Sequence, residues 1–274
     1  NSEKAPLVIL PTLWYRNNWS WGYNSYKPNF TTRHRGQIEI EHESLGMKKL
    51  YSRDKSVKIL FCENETNTEK IFGEKSENKY FKDGINHHIV HQKNTVNPKK
   101  FGTKAAFVID TELEGGETKT FDFRMSPHKM ENAFFDFDEV FEVRKKESDE
   151  FYDEIQKDFN CEDEKNVQRQ AFAGLLWNKQ FYHYKVGKWL NGDPNFPVER
   201  NLEHHVRNVE WKHMNCKDII SMPDKWEYPW FATWDLAFHC VSFSILDPNF
   251  AKNQLQLLTK EWYMHPNGQL PAYE

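Results

Sequence analysis

A β-domain followed by the beginning of an all-α domain is the architecture the sequence predicts. Three observations carry it. Several stretches as far as about residue 126 carry apolar residues at every second position. From Asp136 onward they recur at helical spacing instead. Of the four helices so marked, three are richly apolar, and they are too few to cover one another well, so partner helices are expected outside the chain.

The strand pattern opens with "PLVILPTLWY" (6–15). In "QIEIE" (37–41), Ile38 and Ile40 alternate with acids, and "VKILF" (57–61) sets Val57, Ile59 and Phe61 on one side. "AAFVIDTELEGGETKTFDFRM" (105–125) reads as a hairpin. Phe107 and Ile109 precede a Gly115-Gly116 turn, and Phe121, Phe123 and Met125 follow at period two. Several such strands joined by polar connectors predict an antiparallel sandwich with Phe107, Ile109, Phe121 and Phe123 facing inward. The polar segment from Thr68 to Lys104 fits no element clearly. Its His87, His88 and His91 sit in a strand-like setting without a carboxylate pair, so no metal site is expected.

The first helix is marked by Phe137, Val140, Phe141, Arg144, Ser148, Phe151 and Ile155, with acids early. A second is expected from about Glu164 to Leu190, since "QRQAFAGLLWNKQFYHY" is apolar around much of its circumference. "NGDPNFPVER" (191–200) is a loop by its Gly and two Pro, and 201–228 reads as irregular. Trp234, Phe238, Val241 and Ile245 mark a third helix. Asp247-Pro248 opens a fourth, running through Leu255 and Leu258 to Trp262. Residues 1–130 are thus assigned to the β-domain, 131–160 to a linker helix and 161–274 to the helical domain.

Composition narrows the function. The 274 residues carry a formal charge of −4, with a pI near 6.3, so no basic field invites nucleic acid. Mean hydropathy is −0.87, and no apolar run approaches the roughly 18 residues of a membrane span. Aromatic content is 15%, with ten Trp, which suits a large aromatic core or a cleft for the apolar faces of sugar rings. Cys62, Cys161, Cys216 and Cys240 are widely spaced, which fits reduced thiols in a cytoplasmic protein.

"EYPWFATWDLAFHC" (227–240) gathers Tyr228, Trp230, Phe231, Trp234 and Phe238 around one carboxylate, Asp235. An ionised carboxylate loses several kcal/mol of hydration among apolar groups unless compensated. Two readings stand side by side. Asp235 is a helix N-terminal aspartate satisfied by backbone N–H groups, or it is a carboxyl whose pKa the surrounding rings raise, so that it donates a proton. "HPNGQLPAYE" (265–274) has a tight Asn267-Gly268 turn and presents Gln269, Tyr273 and Glu274, as a site loop would.

The long segments "VQRQAFAGLLWNKQFYHY" (167–184), "ISMPDKWEYPWFATWDLAFH" (220–239) and "EWYMHPNGQLPAYE" (261–274) resemble the glucosidase-like proteins related to glycoside hydrolase family 63, the mannosyl-oligosaccharide glucosidase family. "LPTLWYRNNWSWG" (10–22) is similar to their sandwich domain. The resemblance implies a β-sandwich followed by the first helices of an (α/α)6 barrel, as in a truncated two-domain glycoside hydrolase. It implies inverting hydrolysis of an α-glucosyl or α-mannosyl linkage, with Asp235 of the Trp234-Asp235 pair as general acid. The general base would be a glutamate beyond the end of this chain, which alone would then be inactive. Tyr228, Trp230, Trp234, Gln269 and Glu274 would bind the oligosaccharide or disaccharide substrate. No cofactor or metal is implied, and neither nucleic acid nor a membrane is an expected partner, whereas missing portions of the same polypeptide are. The alternative is a non-catalytic carbohydrate-binding or scaffold fragment.

Overall fold

The computed structural model describes residues 2–24, 26–198, 208–224 and 231–272. It is a mixed α/β chain of two compact units, Asn1–Phe141 and Glu142–Glu274.

The first unit contains β1 (Ala5–Ile9), β2 (Thr12–Trp14), β3 (Asn29–Thr31), β4 (Gln37–His42), β5 (Gly46–Ser52), β6 (Lys58–Cys62), α1 (Thr68–Phe72), α2 (Gly84–His91), β7 (Phe101–Gly102), β8 (Lys104–Leu113) and β9 (Phe123–Ser126). All pairings are antiparallel, in two sheets. One has the order β7-β3-β4-β5-β9. The other is built on β8, which takes β1 and β2 along one edge and β6 along the other. Phe30, Ile38 and Ile40 of the first sheet share a core with Phe61, Ala105 and Phe107 of the second. On the opposite face of β8, Ala106 joins Leu60, Cys62 and Ile85 of α2 in a further cluster. A strand covered on both faces needs apolar residues without alternation, and "AAFVI" supplies them. Burial pushes the Cys62 thiol up to about 12, which leaves it unreactive.

The expected hairpin at Gly115-Gly116 does not form. Gly116 makes the turn with φ +76°, but the strand after it pairs with β5 in the other sheet. Phe107 and Phe123 therefore meet as stacked rings from the two sheets, 5.6 Å apart, and not as neighbours along one ladder. Periodicity told which side each strand buries but not which neighbour it takes, because both sheets present the same apolar face. The Thr68–Lys104 segment holds α1 and α2, and this places His87, His88 and His91 on a helix and not on a strand. His87 faces Asp83 one turn earlier at 3.3 Å.

The division between the units falls within α3 (Phe137–Ile155). Of the helical face marked in the sequence, Val140, Phe141 and Phe151 are exposed, and the buried residue of the helix is Tyr152. The second unit continues with α4 (Glu162–Trp177), β10 (Lys179–Lys185), α5 (Val186–Asn191), β11 (Gly192–Asp193), β12 (Phe196–Pro197), β13 (Asn215–Ser221), α6 (Thr233–Leu246) and α7 (Pro248–Leu257). The long helix expected to Leu190 thus stops at Trp177. "KQFYHYK" forms β10 and pairs with β13, inside the stretch read as irregular. A short run of aromatic residues satisfies either period, and its β-favouring side chains decide it here.

The fourth helix opens as the sequence suggests, with the Asp247 carboxylate accepting from Phe250 N–H at 3.0 Å and Pro248 at the first helical position. It ends at Leu257, short of Trp262. Lys179 at the start of β10 donates to Asp247 at 2.9 Å, and its ammonium lies 4.1 Å from the Phe250 ring centroid. Phe243 meets Phe250 edge-on at 4.9 Å. These contacts join α6, α7 and β10 in one core with Phe172, Val186, Leu190, Trp211, Met214, Ile220, Leu236 and Tyr263.

Because Phe107 is fully buried where the two sheets of the first unit meet, Phe107→Ala is expected to lower the stability of that unit by about 3–5 kcal/mol. Urea unfolding followed by a probe in residues 1–141 measures it. A loss below about 1 kcal/mol would mean the two sheets do not share this core.

Candidate functional site

The start of α6 is fixed from behind. Phe231 and Ala232 are buried just ahead of the helix, and Phe231 packs against Tyr263 at 5.3 Å and Tyr182 at 6.4 Å. Ala232, in extended conformation, is the residue at the helix start and brings no capping side chain. Thr233 Oγ1 donates a hydrogen bond to the Pro271 carbonyl. That bond straps the 265–272 loop to the first turn of α6. The loop is itself ordered: His265 N–H donates to the Gln269 carbonyl at 2.9 Å, and Gly268 N–H to the His265 carbonyl at 2.8 Å. Gly268 takes φ +87°, which the turn requires.

Asp235 stands in that first turn, half-buried. Among the described residues its carboxylate accepts no hydrogen bond, so it does not cap the helix. One turn on, at the i+4 spacing that brings side chains together, lies His239. Its Nδ1 shares a 2.7 Å hydrogen bond with Ser221 Oγ. Ser221 is held in turn, since its N–H donates to Gln254 Oε1 at 3.1 Å while Gln254 Nε2 donates to the Ile219 carbonyl at 3.0 Å. Ser221 and Gln254 are both buried. A polar chain therefore runs from α7 through β13 to His239. Burial lowers the pKa of His239, and the Asp235 carboxylate works against that shift.

The outer side of α6 is apolar and exposed. Trp234, Phe238, Val241 and Ile245 are 57%, 71%, 70% and 58% exposed. They fall at i, i+4, i+7 and i+11, one continuous stripe opposite the buried Leu236, Cys240, Phe243 and Leu246. Phe181 of β10 and its cross-strand partner Ile219 of β13 are likewise exposed, as is Trp177. Leu255 is exposed and Leu258 buried.

Of the residues expected to form a site, the structure brings Trp234 and Asp235 to the start of α6. Gln269 is exposed, two residues before the Pro271 strap. Tyr228, Trp230 and Glu274 lie outside the described residues. Sequence reasoning missed Ser221, Thr233, His239 and Gln254. His239 was visible as the i+4 neighbour of Asp235, whereas the others depend on tertiary pairing. Among the described residues no cluster of three or more metal-ligating side chains occurs. No helix among them is long and apolar enough to cross a membrane.

Glu63 and Glu65 of the first unit belong to a different arrangement. Glu63 is raised by burial, with Glu65 close by, and it accepts from Thr103 Oγ1 at 2.8 Å. Burial pushes Glu65 the same way, but Lys27, Trp19 Nε1–H and Asn78 donate to it and hold it below its ordinary value. These bonds fasten Trp19, Lys27 and Asn78 to Glu65, just after β6.

No family model matches the chain. The uncharacterized protein YMR196W of Saccharomyces cerevisiae (strain ATCC 204508 / S288c) is 38% identical over 311 aligned residues. The alignment takes in 99% of this chain and 28% of the yeast protein, so the chain spans under a third of the relative's length.

The folded pKa of His239 lies below its unfolded value of about 6.5. The unfolded chain therefore binds more protons as pH falls through 6.5 toward the folded value, and the stability due to neutral His239 is lost over that range. Thermal unfolding is expected to show a smaller drop in Tm between about pH 7.5 and 5.5 in His239→Gln than in the unaltered chain. Equal drops would mean that His239 is not held neutral by its surroundings.

Proposed function

We propose that this chain is part of an inverting α-glycosidase in which Asp235 is the general acid. The observation that carries the reading is the half-buried Asp235 carboxylate, free of capping bonds among the described residues, in the helix turn that also bears the exposed Trp234 and is tied through Thr233 to the loop bearing Gln269. The resemblance of 167–184, 220–239 and 261–274 to glucosidase-like sequences agrees with it. Asp235 gives its proton to the glycosidic oxygen as the bond to the anomeric carbon breaks. Water, deprotonated by a glutamate in another part of the polypeptide, forms the new bond from the opposite face, and the configuration inverts. Such a pair of carboxyls stands about 6.5–9.5 Å apart. Trp234 offers an apolar face to sugar C–H groups, and Gln269 a hydrogen-bonding end. Tyr228, Trp230 and Glu274 would complete the substrate contacts.

The finer architecture belongs to the same proposal. The shared core of the two sheets supports a β-sandwich. The exposed apolar stripe of Phe238, Val241 and Ile245 on α6 supports the opening helices of an (α/α)6 barrel, whose later helices would lie against it. The greater length of the yeast relative is in keeping with this.

In the longest polypeptide that carries this chain, Asp235→Asn is expected to lower turnover of a natural α-linked disaccharide by about 10²–10⁴-fold while leaving Tm nearly unchanged. The loss should shrink on an activated aryl glycoside, whose leaving group needs less protonation. Near-normal turnover of the disaccharide by a folded Asp235→Asn protein would remove Asp235 from the chemistry. The barrel assignment has its own measurement. Phe238→Ser should cost under about 1 kcal/mol in the 274-residue chain, where the ring is exposed. It should cost about 3 kcal/mol or more in the longer polypeptide, where the ring would be buried. Equal small costs in both would leave the stripe uncovered and the barrel unsupported.

A further inference from the structure

The first unit carries a concentration of positive charge that its fold does not use. Two cavities, of about 370 and 360 Å³, adjoin across the 34–36 turn between β3 and β4. Arg35 lines both. Lys55 and Lys129 line the first, and Arg33, Lys58 and Lys100 the second. Arg33 is paired with Glu39 at 3.3 Å, and Lys58 lies 3.5 Å from His88 Nε2. Arg35, Lys55, Lys100 and Lys129 have no ion pair among the described residues. Against them, Glu131 is the single carboxylate on the described walls.

The chain geometry holds these cations together. Gly36 has φ +66°, and a Cβ there would stand 2.8 Å from the Lys55 Cα. Only glycine allows the β3–β4 turn to press so closely on the turn after β5. Ser52 N–H then donates to the Gly36 carbonyl at 2.8 Å and locks the contact. Arg35 and Lys55 are thereby placed on the wall of one cavity in a protein of net charge −4. Like charges kept close cost free energy unless an anion offsets them.

The first cavity also has an aromatic wall. Tyr51 lines it, its ring fixed because its hydroxyl accepts from Met130 N–H at 3.0 Å. Phe134 lines it too. A volume of this size suits a small molecule. Several cations suit a doubly charged group with three acceptor oxygens better than a single carboxylate.

We propose that these adjoining cavities bind a small organic phosphate monoester, its phosphate met by Arg35, Lys55 and Lys129 and its organic part lying against Tyr51 and Phe134. This site does not rest on the glycosidase reading. Lys100 and Lys58 in the second cavity extend the positive field and favour ligands with a further anionic group.

Isothermal titration of the 274-residue chain at low ionic strength tests the site with four probes: glucose 6-phosphate, adenosine monophosphate, inorganic phosphate and glucose. At least one organic phosphate is expected to saturate with Kd at or below about 1 mM. Inorganic phosphate and glucose should bind about tenfold more weakly or not at all. Arg35→Ala and Lys129→Ala, both at exposed positions, should each weaken the organic phosphate by about tenfold, and Lys129→Arg should retain most of the binding. Lys145→Ala on α3 is the control and should change nothing. The better of the two organic probes assigns the organic part as sugar or base. No saturation by either overturns the site, and equal affinity for inorganic phosphate overturns the organic wall. Undiminished binding in Arg35→Ala moves the ligand elsewhere.

Discussion

Burial of one face of α6 sets everything around Asp235. Leu236, Cys240, Phe243 and Leu246 are drawn into the core of the second unit, and an α-helix has no freedom left once one face is fixed. The residues just before them in the turn, Asp235 and His239, then fall on the flank. Trp234 and Phe238 fall on the outside. The side of the helix on which carboxyl, imidazole and indole lie is therefore set by apolar packing. The hydrogen bond shared with Ser221 Oγ orients the imidazole of His239 on that helix.

The polar chain from Gln254 to His239 has a second effect. Ser221 and Gln254 are buried, so their hydrogen-bonding groups must find partners or cost free energy. They find them in each other, in the Ile219 carbonyl and in His239. The same bonds that satisfy these groups tie α7 and β13 to α6. Stability and the placement of the imidazole are thus met by one set of contacts, and neither can change alone.

What the sequence revealed depended on whether a pattern had one physical cause. The Asp247-Pro248 helix start was legible because a side-chain cap followed by proline at the first helical position has one geometric use. Phe107 and Phe123 were legible as inward-facing because period two leaves no other side. Their pairing was not, because a Gly-Gly turn and a crossing between sheets look alike along the chain. "QFYHYK" failed for a related reason: aromatic residues suit a strand and a buried helix equally until a partner strand appears, and β13 lay 30 residues on. In the candidate site, Asp235 and Trp234 stood out as a carboxylate among aromatic rings. Ser221 and Gln254 did not, since only tertiary pairing brings them to His239.

The central place of β8 has a bearing on how the first unit comes into being. β1 pairs with β8 from Ala5 against Leu113 to Ile9 against Ile109, so β1 has its partner among residues made a hundred positions later. At a synthesis rate of roughly 5–20 residues per second, β1 waits on the order of 5–20 s for β8. During that time β3, β4 and β5 can already pair with their chain neighbours. Folding of this unit is then expected to start in the sheet of local hairpins and to close only when β8 arrives, with a rate set by long-range strand pairing and not by the helices that follow.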